Sequence, residues 1–254
     1  MSEPLPCPPA SRPGPLGARP VLPPGHRAYA IGDVHGCLDQ LRALHALIAA
    51  DLAARPVARP VLIHMGDLID RGTDSAGVVA LLAAGSPIRG VPTLNLSGNH
   101  EQMLLEVLSI GTRQVAEHWL ANGGDATLRS WGVPHRAPAK DWPALLPSEH
   151  LAFVRALLPL HRIGSWLFVH AGVRPGVPLD LQAHEDLLWI REPFLSHTGP
   201  LLPEAPEIAV LHGHTPVGRP DQRGWRLGID TGAFKGGALT CAVLEGPTVA
   251  FLQS

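Results

Sequence analysis

Five short apolar runs in this 254-residue chain each stop at a polar, glycine-containing turn. Ala28 to Ile31 leads into Gly-Asp-Val-His-Gly at 32–36, Val61 to Ile63 into Gly-Asp-Leu-Ile-Asp-Arg-Gly at 66–72, and Thr93 to Leu96 into Gly-Asn-His-Glu at 98–101. Trp166 to Val169 leads into His170-Ala171-Gly172, and Ile208 to Leu211 into His212-Gly213-His214-Thr215. Apolar runs of this length closed by such turns read as strands, while Leu38 to Leu52 and Ser75 to Ala84 carry the apolar spacing of helices. Strands alternating with helices predict an α/β fold, whose ligands gather beyond the carboxyl ends of the strands. The five turns are therefore expected to meet in one place.

The remaining sequence organises around that frame. From Glu101 to Leu158 the pattern is mainly helical, broken at Asn122-Gly123-Gly124 and at Pro134 to Pro147, which predicts a helical cap inserted at about 110–150. Residues 1–24 hold nine prolines and few large apolar side chains, so they read as a disordered tail ahead of one domain at 25–254. A net charge of −2 with 17% charged residues leaves no basic excess to neutralise a nucleic-acid backbone. No apolar run reaches the ~18 residues of a membrane span, and no secretory pattern opens the chain, so neither nucleic acid nor membrane is an expected partner and the expected compartment is the cytoplasm. Cys7, Cys37 and Cys241 are odd in number and scattered, which argues for reduced thiols rather than a disulfide framework or a zinc knuckle.

The turns carry Asp33, His35, Asp67, Asn99, His170 and His214. Three imidazoles, two carboxylates and an amide carbonyl form a mixed nitrogen and oxygen set without thiolate, suited to Mn, Fe or Zn. Six ligands are too many for one catalytic ion that keeps a position open for water, but two ions sharing a bridging carboxylate use them all. Such a pair suits phosphoester hydrolysis, because it acidifies a water and clamps the attacking and leaving oxygens. Covalent catalysis is disfavoured, since Cys37 precedes Arg42 by five positions, one short of the spacing of cysteine-dependent phosphatases. A P-loop with its Lys-Ser/Thr ending is absent from the sequence.

The five motifs in this order resemble the calcineurin-like metallophosphoesterases. The Asp70-Arg71-Gly72 ending and the Gly-Asn-His-Glu form resemble more narrowly the phosphoprotein phosphatase branch, to which the phosphatase of bacteriophage lambda and small bacterial phosphatases belong; the similarity runs from Tyr29 to the C-terminus. The resemblance implies a four-layer α/β/β/α sandwich with a dimetal site at the carboxyl ends of the strands. It implies that Asp33, His35 and Asp67 hold one ion and that Asp67 bridges to a second held by Asn99, His170 and His214, with Mn the expected metal. His100 is implied as the general acid, Asp70 as the group that orients it, and Arg71, Arg191 and Asn99 as contacts to the phosphoryl group. The implied chemistry is direct in-line attack by a hydroxide bridging the ions, with no phosphoenzyme.

By the same resemblance the substrate is a phosphorylated protein, on serine or threonine and with tyrosine as an extension, or a small phosphoester. The alternative is a dinucleoside polyphosphate, since relatives with that activity share two of the motifs; they tend to carry Trp where this chain has Thr215. A binding protein that has lost turnover is disfavoured because no ligand and no acid is missing. His212 is open between a partner of the ligand set and a packing residue. Asp230 reads as a turn former with a supporting role as the alternative, and Cys37 as a small buried side chain, with a thiol activated by the helix N-terminus as the alternative. Substrate choice is expected in the cap at 111–147 and the loop at 192–206, where Trp119, Trp131 and Trp142 line a groove or, more in keeping with their spacing, form local core. The other nine of the fourteen histidines, including His45 and His64, have no role beyond surface or packing. Oligomeric state is not legible in these patterns.

Overall fold

The computed structural model describes residues 20–134 and 137–254. Among these residues ten strands build two five-stranded sheets. In the first, β1 (His26–Ile31) runs parallel to β2 (Arg59–His64), β2 runs parallel to β3 (Thr93–Asn95), and β9 (Thr240–Glu245) and β10 (Thr248–Gln253) add an antiparallel edge beyond β1. In the second, β4 (Leu160–Ile163), β5 (Trp166–Val169), β6 (Ala209–His212), β8 (Arg226–Gly228) and β7 (Asp221–Arg223) lie in that order, parallel at the centre and antiparallel at both edges.

Period-two alternation explains how each sheet buries both faces. Ala28, Ala30 and Ile63 of the first sheet meet Trp166, Phe168, Ala209 and Leu211 of the second, forming the core between the sheets. The alternate residues Tyr29, Ile31 and Leu62 face α1 (Leu38–Ala54) and α2 (Ser75–Ala83) through Leu41, Leu44, Ile48, Val78 and Leu82. On the far side Leu167, Val169 and Val210 pack under Leu187 of α8 (His184–Trp189) and under Ile190, Phe194 and Leu202. Helices, sheet, sheet and helices are the four layers that the resemblance implies.

The insertion is helical: α3 (Asn99–Ile110), α4 (Arg113–Trp119), α5 (Asp125–Ser130), α6 (Trp142–Leu145) and α7 (Ser148–Arg155). Asn122-Gly123-Gly124 breaks it as expected: α4 and α5 meet at a kink over Leu120–Gly124, where Gly123 leaves the helical region at φ 104°. The tail boundary differs from expectation. Leu22 is 2% exposed, its N–H donates to the Gly246 carbonyl (3.0 Å), and it joins the core between the sheets. Leu22 is the side chain that anchors this stretch, with Pro20 also buried and Val21 and Pro24 exposed; the rest of the expected tail, 1–19, lies outside the described residues, as do Cys7 and His135. Among the described residues no helix is long and apolar enough to cross a membrane.

Candidate dimetal active site

The predicted turns do converge, and backbone hydrogen bonds sew them together. The N–H groups of Val34 and His35 donate to the Asp67 carbonyl (3.1 and 2.8 Å), and that of Gly213 donates to the His170 carbonyl (2.8 Å). Among the described residues the non-glycine positions at positive φ are His35, Asp67, Asp70, Arg71 and His214, at 45° to 72°. Each such conformation costs on the order of 1–3 kcal/mol and persists only where the surroundings impose it. All five were singled out from the sequence for their chemistry. Two glycines are required by close approach: a Cβ on Gly98 would overlap the Asp67 carboxylate, and one on Gly213 the Asp33 carboxylate.

Ligand-type atoms gather in two groups that share Asp67, namely His35, Asp67 and His100, and Asp67, His170 and His214. All five side chains are buried. The protons of these rings can be placed. His35 Nδ1 donates to the Ile69 carbonyl (2.8 Å) and His170 Nδ1 to the Met65 carbonyl (2.9 Å). The neutral imidazole is the form that ligates a metal, and with its one N–H at Nδ1 it turns a lone pair outward at Nε2. His170 Nε2 faces Asn99 Oδ1 at 3.0 Å and Asp67 Oδ1 at 3.3 Å, and His35 Nε2 faces Asp67 Oδ2 at 3.5 Å. His214 Nδ1 lies 2.9 Å from the same Asn99 Oδ1, while His214 Nε2 and His100 Nε2 are buried with no hydrogen-bond partner. Buried imidazole, carboxylate and amide atoms converging around Asp67 are what divalent cations fit.

The electrostatics agree. Burial pushes His35 and His214 down to about 3, so both stay neutral, the form in which an imidazole ligates a metal. Burial opposes ionisation of Asp67, yet the surrounding rings of His170, His100, His35 and His214 hold its carboxyl below the usual range. Burial, then the charges of Asp230 and Asp67, push Asp33 well above the usual carboxylate range, a penalty that bound cations would remove. Asp33 itself is turned toward the second group, accepting the His214 N–H at 3.0 and 3.2 Å, so His100 rather than Asp33 completes the first geometric triad.

His100 Nδ1 meets Asp70 Oδ2 at 2.7 Å, and its unpartnered Nε2 points toward Asp67 Oδ2 at 3.9 Å. Burial opposes its protonation, but the Asp67 charge and the Asp70 hydrogen bond raise its pKa above the ordinary histidine value. Arg71 donates to His35 Nε2 (2.9 Å) and lies over the Phe234 ring (4.7 Å). Arg191 is exposed and acts on His214 through its charge; it follows Trp189, whose Nε1 donates to Gln102 Oε1 (2.8 Å) and whose ring stands edge-on to His214 at 6.2 Å. An open cleft of about 480 Å³ lined by Arg174, Glu185, Asp186, Trp189 and Arg191 adjoins them.

The open residues now have places. His212 is hydrogen-bonded to the Gly213 carbonyl (3.0 Å), packs on Phe194 and belongs to neither ligand group. Asp230 Oδ1 accepts the Gly232 N–H (3.0 Å), the contact of a turn former, and its charge reaches Asp33. Burial pushes the Cys37 thiol up, opposite to an activated thiol. Two of the three cap tryptophans are local core or bonded within the cap, since Trp119 is 0% exposed and stacks edge-on with Trp142, and Trp131 Nε1 donates to His150 Nδ1 (2.8 Å); Trp142 also lines a pocket of about 150 Å³ with Leu128, Val133 and Pro134. Two supports were missed. Glu101 accepts the N–H groups of Gly98, Asp67, Leu68 and Ile69 at 2.8–3.2 Å, which its place three residues into α3 after the cap position could have signalled. Phe234 follows no motif that would have marked it.

Comparison with known proteins adds the family. The family model of calcineurin-like phosphoesterases matches residues 26–235. Serine/threonine-protein phosphatase 1 of Salmonella typhimurium is 30% identical over 231 residues, covering 85% of this chain and 91% of that protein. The symmetrical bis(5'-nucleosyl)-tetraphosphatase of Methylococcus capsulatus is 32% identical over 147 residues, covering 58% of this chain and 43% of that protein. A solved structure assigned as a candidate diadenosine tetraphosphatase shares the fold at TM-score 0.61 and 23% identity, covering 93% of this chain and 98% of that one. Five strand-end motifs folded around one shared aspartate, in a chain matched over most of its length, make this protein a hydrolase that belongs to the calcineurin-like metallophosphoesterases.

Proposed function

We propose that this chain is a metal-dependent protein phosphatase that removes phosphate from serine or threonine side chains. The observation that carries the reading is the ring of buried lone pairs around Asp67 with His100 Nε2 unpartnered beside them. Asp33, His35 and Asp67 would hold one divalent ion, and Asp67 with Asn99, His170 and His214 would hold a second. When bound, two ions, Mn first and Fe or Zn as alternatives, supply an acidified water and positive charge for the phosphoryl oxygens. Arg71 and Arg191 orient the phosphoryl group, for which a planar guanidinium offers bidentate contact, and Asn99 adds its amide. His100 delivers the Nε2 proton to the leaving oxygen, with Asp70 holding its ring in the productive tautomer.

The Salmonella relative, named as a protein phosphatase and aligned over nine-tenths of its length, supports this substrate class. Dinucleoside polyphosphate hydrolysis is the second reading, favoured by the name of the Methylococcus relative, although that likeness spans less than half of the relative's length. Turnover of phosphoserine, phosphothreonine and phosphotyrosine peptides and of diadenosine tetraphosphate by the Mn-loaded protein, with H100N as control, separates the readings. Phosphoserine and phosphothreonine peptides are expected to be the best substrates. Faster turnover of the dinucleotide, or equal rates for wild type and H100N on every peptide, would overturn the proposal.

A further inference from the structure

The helical insertion reaches the candidate acid through Asp70. Thr127 Oγ1 donates to Asp70 Oδ1 (2.6 Å), and Trp119 Nε1 donates to Asp70 Oδ2 (2.8 Å), the oxygen that also meets His100 Nδ1. The Thr127 hydroxyl also accepts the Asp70 N–H (2.8 Å), so the two residues grip each other through backbone and side chain. Ser75 Oγ accepts the same N–H at 3.0 Å. Asp70, Thr127 and Trp119 are all 0% exposed, so no water competes for these bonds.

The kink over Leu120–Gly124 that joins α4 to α5 completes the clamp. Gly124 lies flat on the Trp119 indole, where a Cβ would overlap the ring, and Trp142 braces the indole edge-on at 5.8 Å. The Gly123 carbonyl accepts the Arg71 N–H (3.1 Å), and a Cβ on Gly123 would stand 2.7 Å from Arg71 Cγ. The insertion therefore holds the two successive left-handed residues Asp70 and Arg71, at φ 72° and 67°, by backbone and side chain together. A carboxylate with donors on both oxygens has no freedom to rotate away from the imidazole it orients.

We propose that the insertion acts through Thr127 and Trp119 as positioning residues for general acid catalysis, locking Asp70 so that His100 Nε2 stays aimed at the leaving oxygen. This rests on the reading of His100 as the acid. In the step concerned, the bond between phosphorus and the leaving oxygen breaks and that oxygen takes the Nε2 proton. The imidazole is left neutral, with Nδ1–H still donated to Asp70. Loss of the lock therefore harms leaving groups that need a proton and spares those that depart as stable anions.

The test compares phenyl phosphate, a poor leaving group, with 2,4-dinitrophenyl phosphate, a good one, for Mn-loaded wild type, T127V, T127S, W119F and H100N. T127V and W119F are expected to lose about 10- to 100-fold in kcat on phenyl phosphate, the usual cost of removing a group that orients a functional side chain. Under about threefold is expected on the dinitrophenyl ester, with KM and bound Mn per chain unchanged and T127S restoring the wild-type ratio, since departure of a stable anion draws little on the acid. A readout without turnover is the deshielded Nδ1 proton of His100 in the nuclear magnetic resonance spectrum, identified by its loss in H100N. It is expected to shift upfield in T127V and return in T127S. Equal losses on both esters in T127V and W119F, while H100N keeps its selective loss, would overturn the inference and leave the acid in place. Equal losses in H100N itself would overturn the acid role on which the inference rests.

Discussion

Two buried histidines in this molecule, each beside an asparagine, look alike and are opposite in chemistry. His64 Nδ1 meets Asn95 Oδ1 at 2.7 Å, and His64 Nε2 meets His45 Nε2 at 3.0 Å. Nδ1 of His64 donates to the amide, its Nε2 accepts from His45, and every proton has one home. His170 meets Asn99 Oδ1 at 3.0 Å, but its Nδ1 is already committed to the Met65 carbonyl, so in the neutral form that ligates a metal its Nε2 lone pair faces another acceptor. Burial does not separate the pairs, since His64 and His170 are both 0% exposed. Whether the protein alone supplies a proton for each contact separates a packing histidine from a ligand.

The sharpest way to break the comparison is to remove each pair in turn and measure bound metal. D67N or H170A is expected to lose Mn and lower kcat on p-nitrophenyl phosphate by roughly 10³-fold or more, because several kcal/mol of charge stabilisation leave with the ions and each 1.36 kcal/mol is tenfold. H45L is expected to keep both Mn and kcat. Full metal occupancy in H170A, measured by elemental analysis, would remove the distinction. A second measurement follows the metal into stability: Mn at 100 times its Kd is expected to raise unfolding free energy by about 2.7 kcal/mol per site in wild type and in H45L. H170A is expected to lose that shift in a thermal or denaturant melt.

The same contrast explains what could be read from the sequence. Each strand-end turn was legible because a short apolar run followed by Gly, Asp, His or Asn is a local pattern, and the parallel strands β1, β2, β5 and β6 deliver their ends to one side. The contrast between His64 and His170 was not legible, because both end or follow a strand and differ only in partners 19 and 105 residues away, His45 and Met65. The orientation of Asp33 toward the His214 N–H depends likewise on a contact 181 residues distant. The insertion was legible as helices. Its grip on Asp70 was not, since Trp119 and Thr127 carry no periodic signal and lie 49 and 57 residues from their partner. Local patterns announce elements, whereas the placement of a buried proton is a tertiary fact.

Smaller effects sharpen the comparison from the packing side. H45L leaves the His64 lone pair buried without a donor, which is expected to cost about 1–3 kcal/mol of unfolding free energy, whereas H45L/H64L removes both polar partners and is expected to be closer to wild type. A double-mutant cycle by urea melts measures this, and a double variant less stable than H45L would show that the pair contributes by packing alone.

The pH dependence of stability is the finest of these tests. Burial pushes His45 down to about 4, and burial, then the His45 charge, push His64 down to about 3, from an ordinary histidine value of 6.5. The unfolded chain therefore binds protons at these positions below about pH 6.5 while the folded chain binds none until about pH 4 to 3. The pair's stabilisation is present above 6.5 and lost as pH falls through that window. H45L/H64L is expected to flatten this part of the acid limb in metal-free protein, while H45L alone flattens part of it. An acid limb identical in wild type and the double variant would mean that the two rings titrate in the folded state as they do in water, which a donor and an acceptor held 3.0 Å apart in a dry core do not permit.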